Sequence, residues 1–315
     1  MNQAVGVVMD PIGSINIKKD STFAMMLAAQ RRGWAVWYME VGDLFYRDGA
    51  AMARRRRIEL RDDSNDWFQV LDETTGPLAA LPVLLMRKDP PFDMEYIYTT
   101  YLLELAQREG SLVINDPRAL RDANEKVFTT HFPHCAPPTL ITRRASDLDA
   151  FLDEQLDIIV KPLAGMGGAS IFRVRPDDPN RNVIGETLTR HGTRFCLAQR
   201  YLPAIRDGDK RVLLVDGEPV PYALARIPRP GETRGNLAAG GRAEGRPLTE
   251  RDRWIAAQVG PELRRRGILF AGLDIIGDHL TEINITSPTC IRELDALFGL
   301  DIAGDLFAAI EGYRR

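Results

Sequence analysis

Three oxygen-bearing side chains near the carboxyl terminus have the types and the spacing of a cation site. Asp274, Glu282 and Asn284 lie in the apolar segment GLDIIGDHLTEIN, residues 272–284. Glu282 and Asn284 are two positions apart, so they share one face of a strand. Carboxylate and amide oxygens are the ligands that magnesium takes in proteins. The segment therefore predicts a magnesium site, with a solvent-facing acidic hairpin as the alternative.

The turn within this segment decides whether the two acids meet. If residues 277–279 form a three-residue hairpin loop, Ile276 pairs with Leu280, and Asp274 then lies directly opposite Glu282. Like charges that face each other across a hairpin repel, and a cation between them removes the repulsion. The apolar residues on either side indicate a hairpin packed against a core, which favours the cation site.

A lysine followed by a glycine-rich turn could bind phosphate. In IIVKPLAGMGGAS, residues 158–170, Lys161 interrupts an apolar strand just before Gly165, Gly167 and Gly168. Glycines allow backbone amides to approach phosphate oxygens without obstruction by a Cβ atom. This turn joins two predicted strands, whereas a dinucleotide-binding glycine turn joins a strand to a helix. A phosphate-covering flap and a plain glycine hairpin both fit the pattern.

A long polar segment separates two predicted elements of the last third. Residues 228–246, PRPGETRGNLAAGGRAEGR, contain five glycines and four arginines. Structureless loops of this length inside compact domains are usually lids or linkers. The segment lies between a strand that ends at Arg226 and a long helix. This position favours a mobile flap that closes over a reacting anion and excludes water.

The segment Ser287-Pro288-Thr289-Cys290 has the pattern of a helix start. Ser287 is a favoured cap, and Pro288 fits the first turn. Free backbone amides at a helix start favour a carboxylate, so the segment is a candidate substrate site. Cys290 has no histidine near it in the sequence, and we interpret it as a small buried residue rather than as a nucleophile.

Composition limits the class of protein. The 315 residues exceed the usual length of one domain, about 100 to 200 residues, so two or three units are expected. The 41 basic and 44 acidic residues give a net charge of −3, which argues against nucleic-acid binding, and we place the basic run Arg54–Arg57 on a solvated surface. No apolar stretch reaches the length of a membrane helix, about 18 residues. Three widely spaced cysteines suit a reducing compartment, so we expect a cytoplasmic protein without membrane partners.

The first third shows the alternation of strands and helices that is typical of an α/β fold. An apolar run at Ala4–Met9, a helical pattern at Ser21–Arg32 and a second run at Trp34–Met39 predict a strand, helix, strand unit. Ser21 is the expected helix cap, and Gly33 is the expected stop.

Later segments predict further elements. The strand LPVLLM runs directly into the polar residues RKDPP, and open α/β sheets bind ligands at such strand ends. The remaining predicted elements are helix Leu120–Thr130, strand Asp157–Lys161, strand Ala169–Val174, helix Asn182–His191, strand Arg194–Tyr201, helix Thr249–Arg266 and hairpin Leu269–Ile285.

Taken together, these segments resemble the bacterial glutathione synthetases of the ATP-grasp superfamily over almost the whole chain. The likeness rests on the strings VMDPIGSINIKKDSTFAM, LMRKDPPFD, NDPRALRDANEK, IIVKPLAGMGGASIFRV, QRYLPAIRDGDKRVLLVDGEPVPYALARIP, GETRGNLAAGGR and GLDIIGDHLTEINITSPTCIRE. It implies an α/β (α+β) fold in three parts: a Rossmann-like domain at 1–122, a central ATP-grasp lid domain at 123–203 and a catalytic ATP-grasp domain at 204–315 with a flexible loop at 228–246. The nucleotide would lie between two antiparallel sheets.

The resemblance also implies roles for individual residues. The nucleotide-binding residues would be Lys126, Lys161, Gly165, Met166, Gly167, Gly168, Gln199, Arg200, Tyr201, Leu202 and Asp209. The two lysines would contact the phosphates, residues 199–202 the adenine, and Asp209 would lie near the ribose. The metal ligands of Mg²⁺, with Mn²⁺ as the alternative, would be Asp274, Glu282 and Asn284. The groups that stabilise the transferring phosphoryl group would be Arg211 and Arg226. The substrate wall would comprise Asp10, Ser14, Asn16, Arg87, Asp89, Ser287, Pro288 and Thr289.

The implied reaction is the joining of γ-glutamylcysteine to glycine. ATP would phosphorylate the cysteinyl carboxylate, and glycine would displace phosphate from the acyl phosphate to give glutathione. No enzyme nucleophile is required, because positioning and charge neutralisation carry phosphoryl transfer. The resemblance also suggests a homotetramer.

Two alternatives remain open at this point. One is another ATP-grasp ligase that joins a different carboxylate and amine. The other is a regulatory module that binds nucleotide without turnover, although the presence of Lys161, Arg211, Arg226 and the predicted metal ligands argues against it.

Overall fold

The computed structural model describes residues 3–165, 169–229, 231–232, 235 and 240–314. Three of the predicted nucleotide-binding residues, Met166, Gly167 and Gly168, lie outside the described residues. The same holds for residues 230, 233–234 and 236–239 of the predicted flexible loop. No helix among the described residues is long and apolar enough to span a bilayer.

A seven-stranded sheet, here called the first sheet, forms one side of the molecule. Its strands are β1 (Ala4–Val8), β2 (Ala35–Met39), β3 (Leu44–Arg47), β4 (Ala50–Leu60), β5 (Phe68–Pro77), β6 (Val83–Met86) and β7 (Leu112–Ile114). The parallel strands lie in the order β2-β1-β6-β7, and β4 joins β2 antiparallel. The helices of this region are α1 (Ser21–Arg31), α2 (Met94–Arg108) and α3 (Pro117–Asp122).

Strand β1 is buried on both faces, which explains its continuous apolar run. Val5 and Val7 belong to the core cluster that contains Phe23 of α1. Ala4 and Val8 belong to the cluster that contains residues of α2. The predicted strand, helix, strand unit is confirmed.

The start of α1 corrects one prediction. Asp20, not Ser21, is the cap, because its Oδ1 accepts a hydrogen bond of 2.6 Å from the backbone N–H of Phe23. The hydroxyl of Ser21 instead accepts from the backbone N–H of Ile291, at 3.2 Å. Gly33 follows the end of the helix with φ +77°, as predicted for a glycine stop.

The basic run 54–57 lies within β4, a strand that the sequence pattern did not predict. Its first and last arginines are exposed, but the two between them are half-buried, so a wholly solvated surface is wrong. Three of the four guanidinium groups lie over the rings of Phe45, Trp37 and Tyr38, at 5.1, 4.9 and 4.6 Å from the ring centroids. These cation–π contacts hold an arginine-rich strand in the sheet.

The helix predicted over residues 120–130 is wrong. Helix α3 ends at Asp122, and a short 3-10 helix covers Val127–His131. Between them, Asn124 Oδ1 accepts hydrogen bonds from the backbone amides of residues 126–127, at 3.1 and 3.0 Å. This side chain takes donors that a continuous helix would have bonded to carbonyls, so the chain turns here.

A four-stranded antiparallel sheet, the middle sheet, has the order β10-β9-β11-β8. Its elements are β8 (Thr139–Thr142), α4 (Ala145–Gln155), β9 (Ile158–Pro162), β10 (Phe172–Val174), α5 (Arg181–Thr189) and β11 (Cys196–Arg200). Ile158 and Val160 of β9 pack in one cluster with α4 and α5. Because side chains alternate along a strand, Ile159 and Lys161 face the opposite side of the sheet.

A five-stranded antiparallel sheet, the third sheet, has the order β14-β13-β12-β15-β16. Its strands are β12 (Asp209–Val215), β13 (Glu218–Ile227), β14 (Arg242–Pro247), β15 (Phe270–Ile276) and β16 (His279–Asn284). Its helices are α6 (Glu250–Arg265), α7 (Ile291–Phe298) and α8 (Ile302–Tyr313). Strand β14 corrects the prediction of a structureless loop to residue 246, because residues 242–247 pair with β13.

The hairpin of β15 and β16 brings the two predicted acids together. Asp274 and Glu282 are direct partners, as predicted. The predicted three-residue loop is wrong, because Ile276 pairs with His279 instead of Leu280. A register shift of one residue beyond this loop restores the pairing of the acids, as a β-bulge does.

Asn115, just after β7, joins the first sheet to the third. It is buried, with 4% of its surface exposed. Its Nδ2 donates to the carbonyls of Phe270 (2.8 Å) and Ile285 (2.6 Å). Its Oδ1 accepts from the backbone N–H groups of Leu269 (2.9 Å) and Phe270 (3.0 Å). All four bonds cross between the two sheets.

We expect Asn115→Ala to lower the free energy of unfolding by about 2–4 kcal/mol, because buried backbone groups lose their partners. Chemical denaturation measures the loss. Asn65→Ala is the control, since Asn65 is exposed between β4 and β5, and its effect should stay within about 0.5 kcal/mol. Equal losses in the two variants would contradict the role of the buried amide.

Glu104 of α2 predicts a pH-dependent contribution to stability. Burial raises the pKa of this carboxyl, but hydrogen bonds from Arg121, Arg108 and Arg118 outweigh burial and lower the pKa to about 2. A lowered folded-state pKa contributes stability above the unfolded pKa, and this stability is lost as the pH falls. Glu104→Gln should therefore lower the free energy of unfolding by about 1–3 kcal/mol at neutral pH.

The difference between Glu104→Gln and the wild type should shrink as the pH falls from the ordinary value of 4.5 towards about 2. Urea denaturation across this range tests the expectation. The exposed Glu109 at the end of the same helix supplies the control Glu109→Gln. A difference that is independent of pH would show that the arginine contacts do not stabilise the fold.

Candidate functional site

A cavity of about 380 Å³ lies where the three sheets meet. Its walls come from the loop after β6, the link after α3, the middle sheet and the third sheet. The predicted site residues that line it are Asp89, Lys126, Lys161, Gly165, Gln199, Arg200, Tyr201, Leu202, Asp209, Arg211, Arg226, Asp274, Glu282, Asn284, Ser287, Pro288 and Thr289. Residues far apart in the chain thus meet in one chamber.

Asp274 is held by two arginines from neighbouring strands. Arg211, its direct partner on β12, donates from Nε to Oδ1 at 2.6 Å and from Nη2 to Oδ2 at 3.1 Å. Arg226 of β13 places Nη2 3.0 Å from Asp274 Oδ2 and 2.7 Å from Asp209 Oδ2. Asp209 and Arg226 are also direct partners in the sheet. Sheet register alone therefore sets this cluster of two acids and two cations.

The charges of this cluster separate the pKa values of its two acids. Burial raises the pKa of Asp274, but Arg211 and Arg226 outweigh burial and lower it to about 2. Burial also raises the pKa of Asp209, and Arg226 offsets this only in part, so the pKa rises to about 6. The Oδ1 atom of Asp209 is buried without a hydrogen-bond partner among the described residues.

Two buried lysines face Glu282 from the other side of the cavity. Lys161 Nζ lies 3.2 Å from Glu282 Oε1, and Lys126 Nζ lies 3.9 Å from the same oxygen. Lys126 also contacts Glu125 Oε1 at 2.5 Å and donates to the carbonyl of Gly165 at 3.3 Å. Only 4% of Lys126 and 5% of Lys161 are exposed. Their charges are thus held in a poorly solvated space, where an anion would be attracted strongly.

The lysines lower the pKa of Glu282, and the neighbouring acids raise the pKa of Lys126. Burial raises the pKa of Glu282, but Lys161 and Lys126 outweigh burial and lower it. Burial lowers the pKa of Lys126, but Glu282 and Glu125 outweigh burial and raise it. Glu282 and Lys126 therefore stay charged at neutral pH.

The predicted metal ligands fit a hard cation by their donor types. Asp274 and Glu282 are ionised, and Asn284 adds an amide oxygen from the same wall of the cavity. Asn284 Nδ2 lies 3.2 Å from Asp274 Oδ2, so the side chains are already adjacent. Within the described ranges, no group of three or more His, Cys, Asp or Glu side chains could hold a metal. The candidate site thus rests on two carboxylates and an amide.

Residues 199–202 lie at the end of β11 and border an apolar part of the cavity. Gln199 Nε2 donates to Thr139 Oγ1 at 3.1 Å, which fixes its side chain. Tyr201 is buried, and the Arg173 guanidinium lies 3.6 Å from its ring centroid. Arg200 is exposed. A slot of this kind suits a flat aromatic ring.

Sequence reasoning missed the apolar wall of this slot. The missed lining residues of this wall are Ile159, Ile171, Ile205 and Ile276. Two of them had a usable signal, because Ile159 and Ile276 each lie two positions from a predicted site residue on the same strand. Thr286, Glu125 and Phe92 also line the cavity, and no local pattern marked them.

The segment after β16 differs from its prediction. Helix α7 begins at Ile291, and its N-cap is Cys290, with φ +89°. Ser287 therefore caps no helix, and Pro288 is not in a first turn. Because a residue with positive φ precedes α7, the helix cannot extend back through residues 287–289. These residues line the cavity in irregular conformation.

Of the predicted residues in the first third, Asp89 alone lines the cavity. Asp10 supports the loop that carries Asp89: its Oδ2 accepts from the backbone N–H of Asp89 at 2.9 Å. Its Oδ1 lies 2.9 Å from Lys88 Nζ. The carboxylate of Asp10 is thus occupied in holding the cavity wall.

The other three predicted residues of this region lie off the cavity wall. Ser14 donates its hydroxyl to the carbonyl of residue 11 at 2.7 Å, and Asn16 Oδ1 accepts from the backbone N–H of residue 18 at 3.2 Å. Arg87 is buried behind the wall, with 6% of its surface exposed. Their contacts to substrate stay predictions.

Gly235 of the predicted flap lines the cavity beside the acid–arginine cluster. A Cβ atom at this position would lie 2.7 Å from the carbonyl of Arg226 and 2.7 Å from Cβ of Asp209. Contacts under 3.0 Å are not tolerated by backbone atoms. A glycine is therefore required for this approach.

Two family models match the chain. Residues 3–121 match the prokaryotic glutathione synthetase N-terminal domain, and residues 125–299 match the prokaryotic glutathione synthetase ATP-grasp domain. Similar curated proteins carry the name glutathione synthetase. One from Pseudomonas putida is 61% identical over 99% of this chain and 98% of its own, and one from Escherichia coli (strain K12) is 62% identical over 98% and 97%.

Solved structures share the fold at low identity. D-cycloserine synthetase DcsG has a TM-score of 0.69 at 14% identity, with 99% of this chain and 100% of that chain covered. The ATP-grasp ligase PsnB, complexed with a minimal precursor, Mg and ADP, has a TM-score of 0.64 at 17% identity, with 100% and 99% covered. These similarities confirm the predicted α/β ATP-grasp fold. With both family models and relatives matched over nearly its full length, the chain belongs to the prokaryotic glutathione synthetase family.

Proposed function

We propose that this chain is an ATP-dependent ligase that joins the cysteinyl carboxylate of γ-glutamylcysteine to the amine of glycine. The observation that carries the proposal is one cavity in which buried lysines face an acid–arginine cluster, within a chain of this family. The products would be glutathione, ADP and phosphate. This reaction is the second step of glutathione biosynthesis.

The two buried lysines would bind the phosphates of ATP. Lys161 and Lys126 have little contact with water, so their charges act on an anion with weak screening. Lys126 also donates to the carbonyl of Gly165, which ties the phosphate-covering turn to the lysine pair. Met166, Gly167 and Gly168 of that turn, which lie outside the described residues, belong to the same proposal.

Arg211 and Arg226 would stabilise charge in both chemical steps. In the first, a carboxylate oxygen bonds to the γ-phosphorus, the bond to the β-phosphate oxygen breaks, and ADP leaves. In the second, the amine nitrogen bonds to the acyl carbon, phosphate leaves, and the amine loses a proton. The arginines are fixed by Asp274 and Asp209, so they need little reorganisation as charge develops.

No side-chain nucleophile takes part in this scheme. Burial raises the pKa of the Cys290 thiol, although Arg211 and Arg226 oppose the effect. A raised thiol pKa disfavours the thiolate, which is the nucleophilic form.

The apolar slot beside Gln199, Arg200, Tyr201 and Leu202 would take the adenine ring. Asp209 was expected near the ribose. Asp209 Oδ2 lies 2.7 Å from Arg226 Nη2, and this ion pair supports a different role for Asp209, which is to hold the guanidinium group in place.

Asp274, Glu282 and Asn284 would hold Mg²⁺, with Mn²⁺ as the alternative. When bound, such a cation neutralises phosphate charge and orients the phosphates for transfer. The support is the donor set: two ionised carboxylates and an adjacent amide on one wall.

The substrate wall would consist of Asp89 with Ser287, Pro288 and Thr289. The proposal includes three domains, with boundaries at 1–122, 123–203 and 204–315, and a flexible loop at 228–246. It also includes a homotetrameric assembly and a cytoplasmic location. They rest on the resemblance to the family. Gel filtration with light scattering tests the assembly.

A coupled assay of ADP release tests the reaction. We expect release when γ-glutamylcysteine and glycine are both present, and little release with either alone, because glycine must discharge the acyl phosphate. D-alanine as both substrates is the control for another ATP-grasp ligase. If a different carboxylate and amine gave ADP while this pair gave none, the substrate assignment would be wrong. Nucleotide binding without turnover of any pair would favour the regulatory module.

The replacement Glu282→Gln tests the cation site. Loss of one stabilising charge at a preorganised site typically lowers kcat by about 100-fold or more, and we expect this here together with weaker Mg²⁺ binding in a calorimetric titration in the presence of ADP. Asp278→Asn is the matched control, because Asp278 is exposed in the turn of the same hairpin. Unchanged turnover in Glu282→Gln would remove the metal role from this residue.

A further inference from the structure

The irregular segment at residues 286–289, here called the wall segment, lacks support from a helix or a strand. It nevertheless presents four consecutive residues to the cavity. Within the described part of the chain, one hydrogen bond from another element reaches its backbone: Arg87 Nη2 donates to the carbonyl of Pro288 at 2.9 Å. The residue just before the segment is held in a similar way, because Asn115 Nδ2 donates to the carbonyl of Ile285 at 2.6 Å.

Arg87 is placed to hold this segment from behind. It follows β6 directly, and its backbone N–H donates to the carbonyl of Val8 at 2.8 Å, which continues the sheet. Its Nε donates to Thr22 Oγ1 in the first turn of α1 at 3.1 Å. The guanidinium thus connects the strand end, the helix start and the wall segment.

The charge of Arg87 forms no ion pair at contact distance with a described residue, although Asp20 and Asp89 act on it from farther away. Among the described residues, no carboxylate lies within 4.0 Å of its guanidinium. Only 6% of the residue is exposed, so its charge is carried into the interior at a cost in desolvation. A neutral side chain would be buried there at a smaller cost in desolvation free energy. What the charge adds is a strong, directed hydrogen bond to a carbonyl of the wall segment.

We propose that Arg87 is a positioning residue for the carboxylate-bearing substrate and acts through the carbonyl of Pro288. By holding that carbonyl, it fixes Ser287 and Thr289, on either side, at the spacing that the substrate requires. The inference rests on the proposed function. It differs from a direct contact, because Arg87 lies behind the wall and does not line the cavity.

This role separates the two substrates that share the cavity. The predicted nucleotide contacts come from the link after α3, the middle sheet and β12, none of which Arg87 bonds. The wall segment follows β16 and belongs to none of these elements. Loss of the Arg87 bond therefore weakens binding of the acid substrate and leaves ATP binding unchanged.

Steady-state kinetics of Arg87→Met, Arg87→Lys and Thr22→Val test the inference, with the melting temperature of each variant measured in parallel. Arg87→Met keeps much of the volume and removes both donors. We expect its KM for γ-glutamylcysteine to rise by about tenfold or more, the effect of losing one hydrogen bond from a charged group, while its KM for ATP stays within a factor of about two. Arg87→Lys keeps one cationic donor and should recover part of the loss.

Thr22→Val is the matched control. It removes the second hydrogen bond of Arg87 and keeps the bond to Pro288, so its KM for γ-glutamylcysteine should match the wild type. If Arg87→Met fails to fold, Arg87→Lys carries the test against Thr22→Val: it should show the selective rise in that KM. Parallel rises in both KM values, equal kinetics of the Lys variant and the wild type, or an equal effect of Thr22→Val would overturn the inference. Absence of turnover by the wild type would overturn the proposed function, and the inference with it.

Discussion

Opposite charges buried around one shared cavity are the constraint on which the rest of this structure depends. An acid or a cation alone in such a place would cost several kcal/mol, so each must meet its partner at hydrogen-bond distance. Asp274 meets Arg211 and Arg226, and Glu282 meets Lys161 across the cavity. These five residues come from five strands and two sheets. Register in the third sheet, the bulge beyond the hairpin loop and the approach of the middle sheet must therefore all be correct together.

Much of this arrangement could be predicted from sequence, where the signal is local. Apolar runs predicted β1, β2 and the β15–β16 hairpin, and the spacing of Asp274 and Glu282 predicted that they face each other. The reason is that alternation and turn length act over a few residues. Even there, the predicted loop was one residue too long. A register shift in the hairpin offsets this difference, so Asp274 and Glu282 pair as predicted although the turn differs. The family resemblance supplied the remaining site residues, and the structure brings most of them to one cavity.

The failures share a different physical cause, the action of polar side chains over long distances. Asp20 and Ser21 are both good caps by type, and the choice between them depends on Ser21 being taken by Ile291, far along the chain. The local sequence predicts the arginines of β4 to be surface residues, because the aromatic rings that three of them contact lie on other strands. The predicted helix through residues 120–130 is interrupted because the side chain of Asn124 accepts hydrogen bonds from two backbone amides. The spacing of apolar residues does not reveal such hydrogen bonds. Helix α7 likewise begins later than its proline and serine suggest, because Cys290 takes a positive φ.

The four hydrogen bonds of Asn115 bear on the shape of the cavity lining. They connect the end of β7 in the first sheet to both strands of the third-sheet hairpin at its base. The middle sheet meets the third sheet at the cavity through opposite charges, chiefly Lys161 with Glu282. Because the carbonyl of Ile285 is one of the hydrogen-bond partners of Asn115, a change at Asn115 reaches the lining of the cavity from a side chain that is not part of that lining.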